Sequence, residues 1–126
     1  MTAENCYCGS DKPFESCCHL YISRIEKTPT ALALMKSRYA AYAAHQADYL
    51  LATTHISERK YYSREEILKW AVSNKWQKLE IISFTEDTVE FKAYYKDENN
   101  ADQVHYELSS FKKENDGWFY LDGKFK

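Results

Sequence analysis

Residues 63–84, SREEILKWAVSNKWQKLEIISF, change their hydrophobic period halfway along. Ser63 and Glu66 have the spacing of a capping box, in which each side chain satisfies a free backbone N–H group at the start of a helix. One face of this predicted helix carries Ile67, Trp70 and Ala71. After Lys75 the pattern changes to alternation, and residues 79–84 are predicted to form a strand. The stretch therefore marks the boundary between a helical part of the chain and a sheet.

Helices are predicted before this boundary and strands after it. Residues 28–45 and 47–55 are predicted to form two further helices. Three more strands follow, and Asp116-Gly117 predicts a hairpin turn before the last strand, at residues 118–121. In the third strand the residues expected to face the core are Val104, Tyr106 and Leu108. The predicted fold class is α+β, with three helices packed on one face of an antiparallel sheet of about four strands.

Composition argues against several classes of function. The 126 residues are 44% hydrophobic and 29% charged, with both signs mixed and a formal net charge of −2. No cluster of Lys and Arg is present, so nucleic-acid binding is not expected. No apolar run is long enough to span a membrane, and residues 1–5 lack the pattern of a signal peptide. We therefore expect a cytoplasmic protein.

The four cysteines are confined to a short segment, as Cys6, Cys8, Cys17 and Cys18. In a reducing compartment such a cluster indicates metal binding or redox chemistry. Four thiolate ligands that leave no vacant position are typical of a structural zinc site. The sequence therefore predicts one structural Zn²⁺ held by these four residues. Two disulfides, or thiols without a metal, are the alternatives.

The spacing C-x-C-x8-C-C, with Gly9, Ser10 and Lys12 after the first pair, resembles the SEC-C motif at the tail of the SecA translocation motor. Asp11 departs from the family pattern, which has glycine at that position. The resemblance implies that Cys18 is the fourth zinc ligand, with His19 as the alternative. It also implies a docking element, so another protein is the expected partner of this segment. The candidate contact residues are Tyr7, Phe14, Tyr21 and Ile22.

Three further segments resemble the YchJ-like family of bacterial proteins: residues 34–42, LMKSRYAAY, residues 48–55, DYLLATTH, and residues 117–123, GWFYLDG. The resemblance implies a zinc knuckle at residues 1–22 and a cystatin-like, nuclear-transport-factor-2-like cone domain at residues 23–126. In such a cone the helices pack into a curved antiparallel sheet and leave a cavity between them. Many relatives carry a second SEC-C copy after the last strand. Because the sequence up to Lys126 contains none, a function that needs two copies is not expected.

The candidates for the lining of that cavity are Arg38, Tyr39, Tyr42, Asp48, His55 and Trp70. Arg38 interrupts an apolar helix, where it could bind an anion in the cavity or pair with a carboxylate while its stem packs on the core. His55 ends a predicted helix, so capping of that helix by its ring is the alternative to catalysis. The aromatic candidates are core residues unless a cavity is open. Glu90, His105 and Glu107 alternate with apolar residues in their strands and are expected to face solvent.

The leading hypothesis is a non-enzymatic zinc-binding protein, whose knuckle docks a partner and whose cone binds a ligand or a second protein. The alternative is a small-molecule lyase or isomerase that uses a cavity near His55, with His55 or Asp48 as the acid–base group. A third hypothesis is a fold kept for homodimerisation through the open face of the sheet. An enzyme requires an enclosed cavity in which at least two ionisable groups converge.

Overall fold

The computed structural model describes residues 6–10, 12–23, 27–115 and 117–125. The four α-helices of this part of the chain are α1 (Cys18–Ile22), α2 (Ala31–Ala43), α3 (Ala47–Ala52) and α4 (Arg64–Ser73). Two short 3-10 helices lie at Phe14–Ser16 and Arg59–Tyr61. None of the described helices is long and apolar enough to cross a membrane.

The helix boundaries follow from side-chain caps and from one left-handed residue. The Thr30 hydroxyl accepts from the Ala33 backbone N–H at the start of α2, and the Ser63 hydroxyl accepts from the Glu66 N–H at the start of α4. Helix α2 ends earlier than predicted because His45, with φ of 59°, leaves the right-handed helical region. Helix α3 likewise ends at Ala52 and not at residue 55.

The sheet is an antiparallel meander in the order β1 (Lys75–Phe84), β2 (Thr88–Lys96), β3 (Asp102–Glu114) and β4 (Gly117–Phe125). The predicted α+β class with about four strands is therefore confirmed. The final strand is longer than the predicted residues 118–121. In the last hairpin Asn115 has a left-handed φ of 52°, while Asp116 lies outside the described residues. A bridge between Thr54 and Tyr120 ties the segment after α3 to β4.

The helices cover one face of this sheet, and strand β3 presents the opposite residues to those expected. Val104 is 51% exposed, whereas Glu107 is 6% and Ser109 2% exposed. The prediction that Val104, Tyr106 and Leu108 face the core is wrong, and so is the prediction that His105 and Glu107 face solvent. The register explains this, because Glu107 pairs with the inward-facing Phe91 of β2.

On the outer face of the sheet, charged side chains contact the tyrosines. The Tyr94 hydroxyl donates to Glu80, and the Tyr106 hydroxyl donates to Glu90. The Lys92 ammonium lies 5.0 Å from the centre of the Tyr106 ring. Glu90 is thus on the solvent side of the sheet, as predicted.

The cysteine segment packs against the outside of α2. Cys6, Cys8 and Cys18 form one buried cluster with Ala40, whose side chain is completely buried. Arg38 lies two positions before Ala40, and residues two apart on a helix point in nearly opposite directions. Helix α2 therefore separates the cysteine cluster on one side from the inner face of the sheet on the other.

Candidate functional site

The four cysteine sulfurs form a compact group. The Sγ atoms of Cys6, Cys8, Cys17 and Cys18 all lie within 4.8 Å of one another, and all four thiols are free. The Sγ atoms of Cys8 and Cys17 are 3.7 Å apart. Zinc in a tetrahedron of sulfurs at ~2.3 Å separates those sulfurs by roughly 3.8 Å. The group could therefore hold a metal ion with little rearrangement.

A tight turn brings the first two cysteines together. Gly9 has φ of +94°, a backbone conformation that residues other than glycine rarely adopt. Its N–H donates to the Cys6 carbonyl at 3.0 Å, and the Cys6 N–H donates to the Lys12 carbonyl at 2.8 Å. The Ser10 hydroxyl donates to the Cys17 sulfur at 3.2 Å. These local bonds explain why a short motif can position its own ligands.

Hydrogen bonds among the sulfurs shift the pKa values of two cysteine thiols in opposite directions. Hydrogen bonds with Cys6 and Cys8 raise the pKa of the Cys18 thiol, and burial raises it further. Hydrogen bonds from Cys18 and Cys6 lower the pKa of the Cys8 thiol in turn. A coordinating metal replaces the thiol protons with a single central charge.

The structure places His19 outside the sulfur group. Its ring packs on Phe14, with the ring centres 5.3 Å apart, while the fourth sulfur of the cluster belongs to Cys18. Of the four residues predicted for docking, only Tyr7 is strongly exposed, at 48%. Phe14 packs against the cysteine cluster, and Tyr21 and Ile22 pack against the main core. An extended apolar patch of these four residues is therefore not present.

A cavity of about 210 Å³ lies between α2, α4 and the inner face of the sheet. Its most exposed lining residues are Tyr62, Trp70 and Phe125. Its polar lining residues are Arg38, Tyr39, Tyr42, Thr54, Tyr62, His105, Glu107, Ser109 and Tyr120. The remainder of the wall is apolar and largely aromatic.

Arg38 enters this cavity from α2. Its Nη1 donates to the Leu50 carbonyl at 2.8 Å and to the Thr53 hydroxyl at 2.7 Å. Its guanidinium carbon lies 4.6 Å from the centre of the Tyr120 ring. No carboxylate of the described residues lies within 4.0 Å of its nitrogens, so the alternative of a carboxylate partner for Arg38 has no support in this part of the chain.

Glu107 enters from β3 and is held by three donors. Its carboxylate accepts from His105 Nε2 at 2.7 Å, from the Ser109 hydroxyl at 2.5 Å and from the Tyr120 hydroxyl at 3.1 Å. A Cβ atom at Gly123 would lie 2.0 Å from Glu107 Oε2. Glycine at position 123 therefore provides the space that the buried carboxylate occupies.

The cavity shifts the titration of its acidic groups in opposite directions. Burial acts to raise the pKa of the Glu107 carboxyl, but hydrogen bonds from His105 and Ser109 outweigh it and hold that pKa below its ordinary value. Burial raises the pKa of the Tyr39 hydroxyl to about 12. Burial also raises the pKa of the Tyr42 hydroxyl, against the opposing effect of the Arg38 charge. The carboxylate is thus ionised and the phenols are protonated at neutral pH.

Four of the six residues predicted to line the cavity are in its wall: Arg38, Tyr39, Tyr42 and Trp70. Asp48 is outside it, with a side chain that is 77% exposed and paired with Arg64 at 2.5 Å. His55 is outside it too, since its Nε2 contacts Glu114 at 2.5 Å and its Nδ1 contacts Ser57. The prediction of Asp48 and His55 as cavity residues is corrected accordingly. The His55 ring also makes no described bond to the carbonyls that end α3, as capping would require.

Sequence reasoning missed the polar residues that the sheet contributes. They are His105, Glu107, Ser109 and Tyr120. Phe111 could have revealed them. It lies an even number of residues after Glu107 in β3, so both point to the same side of the sheet, and Phe111 is only 5% exposed. Had the strand been extended to Phe111, one large apolar residue would have marked the inner face.

The central part of the chain matches a known family. Residues 30–123 match the family model described as the YchJ, middle NTF2-like domain. A UPF0225 protein of Geobacter sulfurreducens is 36% identical over 125 residues, which cover 94% of this chain and 77% of that protein. A UPF0225 protein of Photorhabdus laumondii is 35% identical, over 95% of this chain and 80% of that protein.

Solved structures of similar proteins contain the SEC-C motif. The solution structure of a SEC-C motif containing protein from Rhodopseudomonas palustris matches with a TM-score of 0.87 and 32% identity, over 96% of this chain and 98% of that chain. The crystal structure of a SEC-C motif containing protein from Psychrobacter arcticus matches with a TM-score of 0.81 and 26% identity, over 98% of this chain and 83% of that chain. The motif, the fold and these identities agree, and the chain therefore belongs to the YchJ-like family, together with the UPF0225 proteins.

Proposed function

We propose that this chain is a non-enzymatic zinc-binding protein, in which the knuckle holds one structural zinc ion and the cone binds a small molecule. The observation that carries the metal proposal is the group of four cysteine sulfurs within 4.8 Å of one another. Four thiolates suit zinc, and they leave no position for a substrate. The ion would supply folding free energy to a segment that has little core of its own.

The cavity supports ligand binding in the cone. Its lining includes the exposed residues Tyr62, Trp70 and Phe125, and its wall combines aromatic rings with several polar groups. Sites that bind small molecules usually have this composition. A volume of about 210 Å³ limits the occupant to a compact molecule.

The arrangement of Glu107 argues against the lyase or isomerase alternative. A general base works best with a pKa near the operating pH. The pKa of the Glu107 carboxyl is instead lowered, and the carboxylate accepts three hydrogen bonds from its neighbours. Asp48 and His55, the acid–base candidates of that alternative, are outside the cavity.

Docking of another protein on the knuckle is the second candidate. It rests on Tyr7, whose exposed ring packs edge-on against Phe14. One exposed ring is far smaller than the patch of a few hundred Å² that typically marks an interface. Homodimerisation through the outer face of the sheet has less support still, because the tyrosines of that face are in contact with charged side chains and do not form an apolar surface.

The metal proposal is tested by native mass spectrometry of the reduced, purified protein. The expected result is one zinc per chain, lost in Cys18→Ser, because the Cys18 sulfur belongs to the cluster. The matched control is His19→Ser, which should keep the metal because the His19 ring packs on Phe14. Wild-type protein that takes up no zinc while its thiols are reduced would overturn the proposal.

The ligand proposal is tested by filling the cavity. Ala93 lines it and is 3% exposed, so Ala93→Leu should reduce the binding of small aromatic compounds detected by ligand-observed NMR. Ala101→Leu, on an exposed turn outside the cavity, is the matched control and should leave binding unchanged. Equal binding in both variants and in wild type would place the compounds elsewhere on the protein.

A further inference from the structure

Arg38 is a buried cation with unused donors. It is 8% exposed, and two of its five N–H groups are used by Nη1, toward Leu50 and Thr53. Its Nε and Nη2 groups make no described hydrogen bond. No described carboxylate pairs with it either, although Glu107 lines the same cavity.

Those unused donors face accessible space. Every fully buried side-chain nitrogen or oxygen among the described residues has a hydrogen-bond partner. The Nε and Nη2 atoms of Arg38 therefore retain some accessible surface, and Arg38 lines the cavity. The same argument places the hydroxyls of Tyr39 and Tyr42 at accessible positions, because neither makes a described hydrogen bond.

The guanidinium of Arg38, and not the cavity as a whole, favours an anion. A buried charge without a counter-ion is costly, and the cost is recovered when a ligand of opposite charge pairs with it. Glu107 carries a negative charge in the same cavity but forms no ion pair with Arg38, and its oxygens are already engaged by His105, Ser109 and Tyr120. Arg38 can therefore pair with the anionic group of a bound ligand.

The geometry of the site selects the kind of anion. A guanidinium edge made of Nε and Nη2 matches a planar carboxylate through two parallel hydrogen bonds. A phosphate group carries more charge than one arginine can neutralise, and the wall beyond Arg38 is mainly aromatic. A singly charged head with an apolar body fits both parts of the cavity.

We infer that the cavity binds a compact monocarboxylate with an aromatic or branched apolar body. Its carboxylate pairs with Arg38 Nε and Nη2 and accepts from the hydroxyl of Tyr39 or Tyr42. Its body packs among the rings of Trp70, Trp76 and Phe91. This inference rests on the ligand-binding function proposed for the cone.

The test compares three carboxylates with their neutral amides of the same shape: benzoate, phenylacetate and cinnamate against benzamide, phenylacetamide and cinnamamide. Binding to wild-type protein is measured by titration calorimetry and by the fluorescence of Trp70 and Trp76, which both line the cavity. Charge-assisted pairing predicts that at least one acid binds about tenfold or more tighter than its amide. This comparison needs no variant, so it cannot be confounded by misfolding.

Substitution of Arg38 then tests whether the preference for acids over amides depends on this residue. Arg38→Gln is expected to remove it, and Arg38→Lys to reduce it, because lysine keeps the charge but loses the paired donors. The matched control is Arg59→Gln. Arg59 also donates to backbone carbonyls, those of Thr54 and Ala52, but does not line the cavity. Circular dichroism of each variant confirms that the fold is retained.

The outcomes separate this inference from the proposed function. Acids and amides that bind equally would overturn the carboxylate inference and leave ligand binding in the cone intact. An acid preference that survives in Arg38→Gln would also overturn it. If none of the six compounds binds, the inference and the proposed ligand-binding function fail together.

Discussion

The cysteine cluster and the cavity lie on opposite sides of α2 and are built in different ways. The cysteine group draws all its ligands from positions 6–18 and is shaped by local turn bonds. The cavity draws its wall from α2, α4 and all four strands, with lining residues from Met35 to Phe125. The first is a local structure that a metal ion could hold together, whereas the second exists only when the cone is folded. The two should therefore respond to different perturbations.

Removal of the metal should have the largest effect on stability. A structural zinc can contribute on the order of 10 kcal/mol to the segment that binds it. Chelation should release the packing of the cysteines on Ala40 and lower the melting temperature by roughly 20 °C or more, measured by scanning calorimetry. Cys18→Ser, which lacks the metal already, should show no further change with chelator. An unchanged melting temperature in wild type would contradict a stabilising metal.

Gly123→Ala should destabilise the cone domain at the cavity and leave the zinc content unchanged. Its new methyl group would meet Glu107 Oε2 at 2.0 Å, so the strand or the carboxylate must move, at a cost of about 2–3 kcal/mol. Gly117→Ala is the matched control, because its nearest contacts would be an ordinary 3.7 Å. Urea denaturation should separate the two variants, with unchanged zinc content in both. Equal stability of the two variants would mean that Glu107 is not held in place.

Glu107→Gln should change the pH dependence of stability. The folded pKa of Glu107 is below its ordinary value of 4.5, so its contribution is present above pH 4.5 and is lost as pH falls through the folded pKa. At neutral pH the substitution should cost about 1–3 kcal/mol. The difference from wild type should shrink on acidification, as measured by urea denaturation between pH 7 and pH 3. Glu90→Gln, on the outer face, is the control, and a difference that grows on acidification would contradict this account.

Asp48→Ala should have the smallest effect. The pair of Asp48 with Arg64 is exposed to solvent, and exposed ion pairs contribute little to stability. Its melting temperature should stay within about 1 °C of wild type, and the binding of the aromatic probes should not change. A loss of probe binding in this variant would restore Asp48 as a cavity residue.

Local patterns predicted the parts of the fold that depend on near neighbours. Ser63 placed the start of α4, although only its half of the predicted capping box is described, and the cysteine spacing predicted the group of four sulfurs. Helix ends were less accurate, because the left-handed residue His45 has no strong local signal. The prediction of which side of β3 faces the core was wrong. The pairing of Glu107 with Phe91 on β2 decides that side, and the alternation within β3 did not reveal it.

The sequence by itself determined the four clustered cysteines, the order of helices before strands, and the arginine within an apolar helix. These features follow from spacing and periodicity, which act over a few residues. Only the tertiary structure decided that Glu107 points inward, that Gly123 makes room for it, and that Arg38 lines the same cavity. The physical reason is strand register, which brings residues distant in the sequence onto one face and sets which charges share the same buried space.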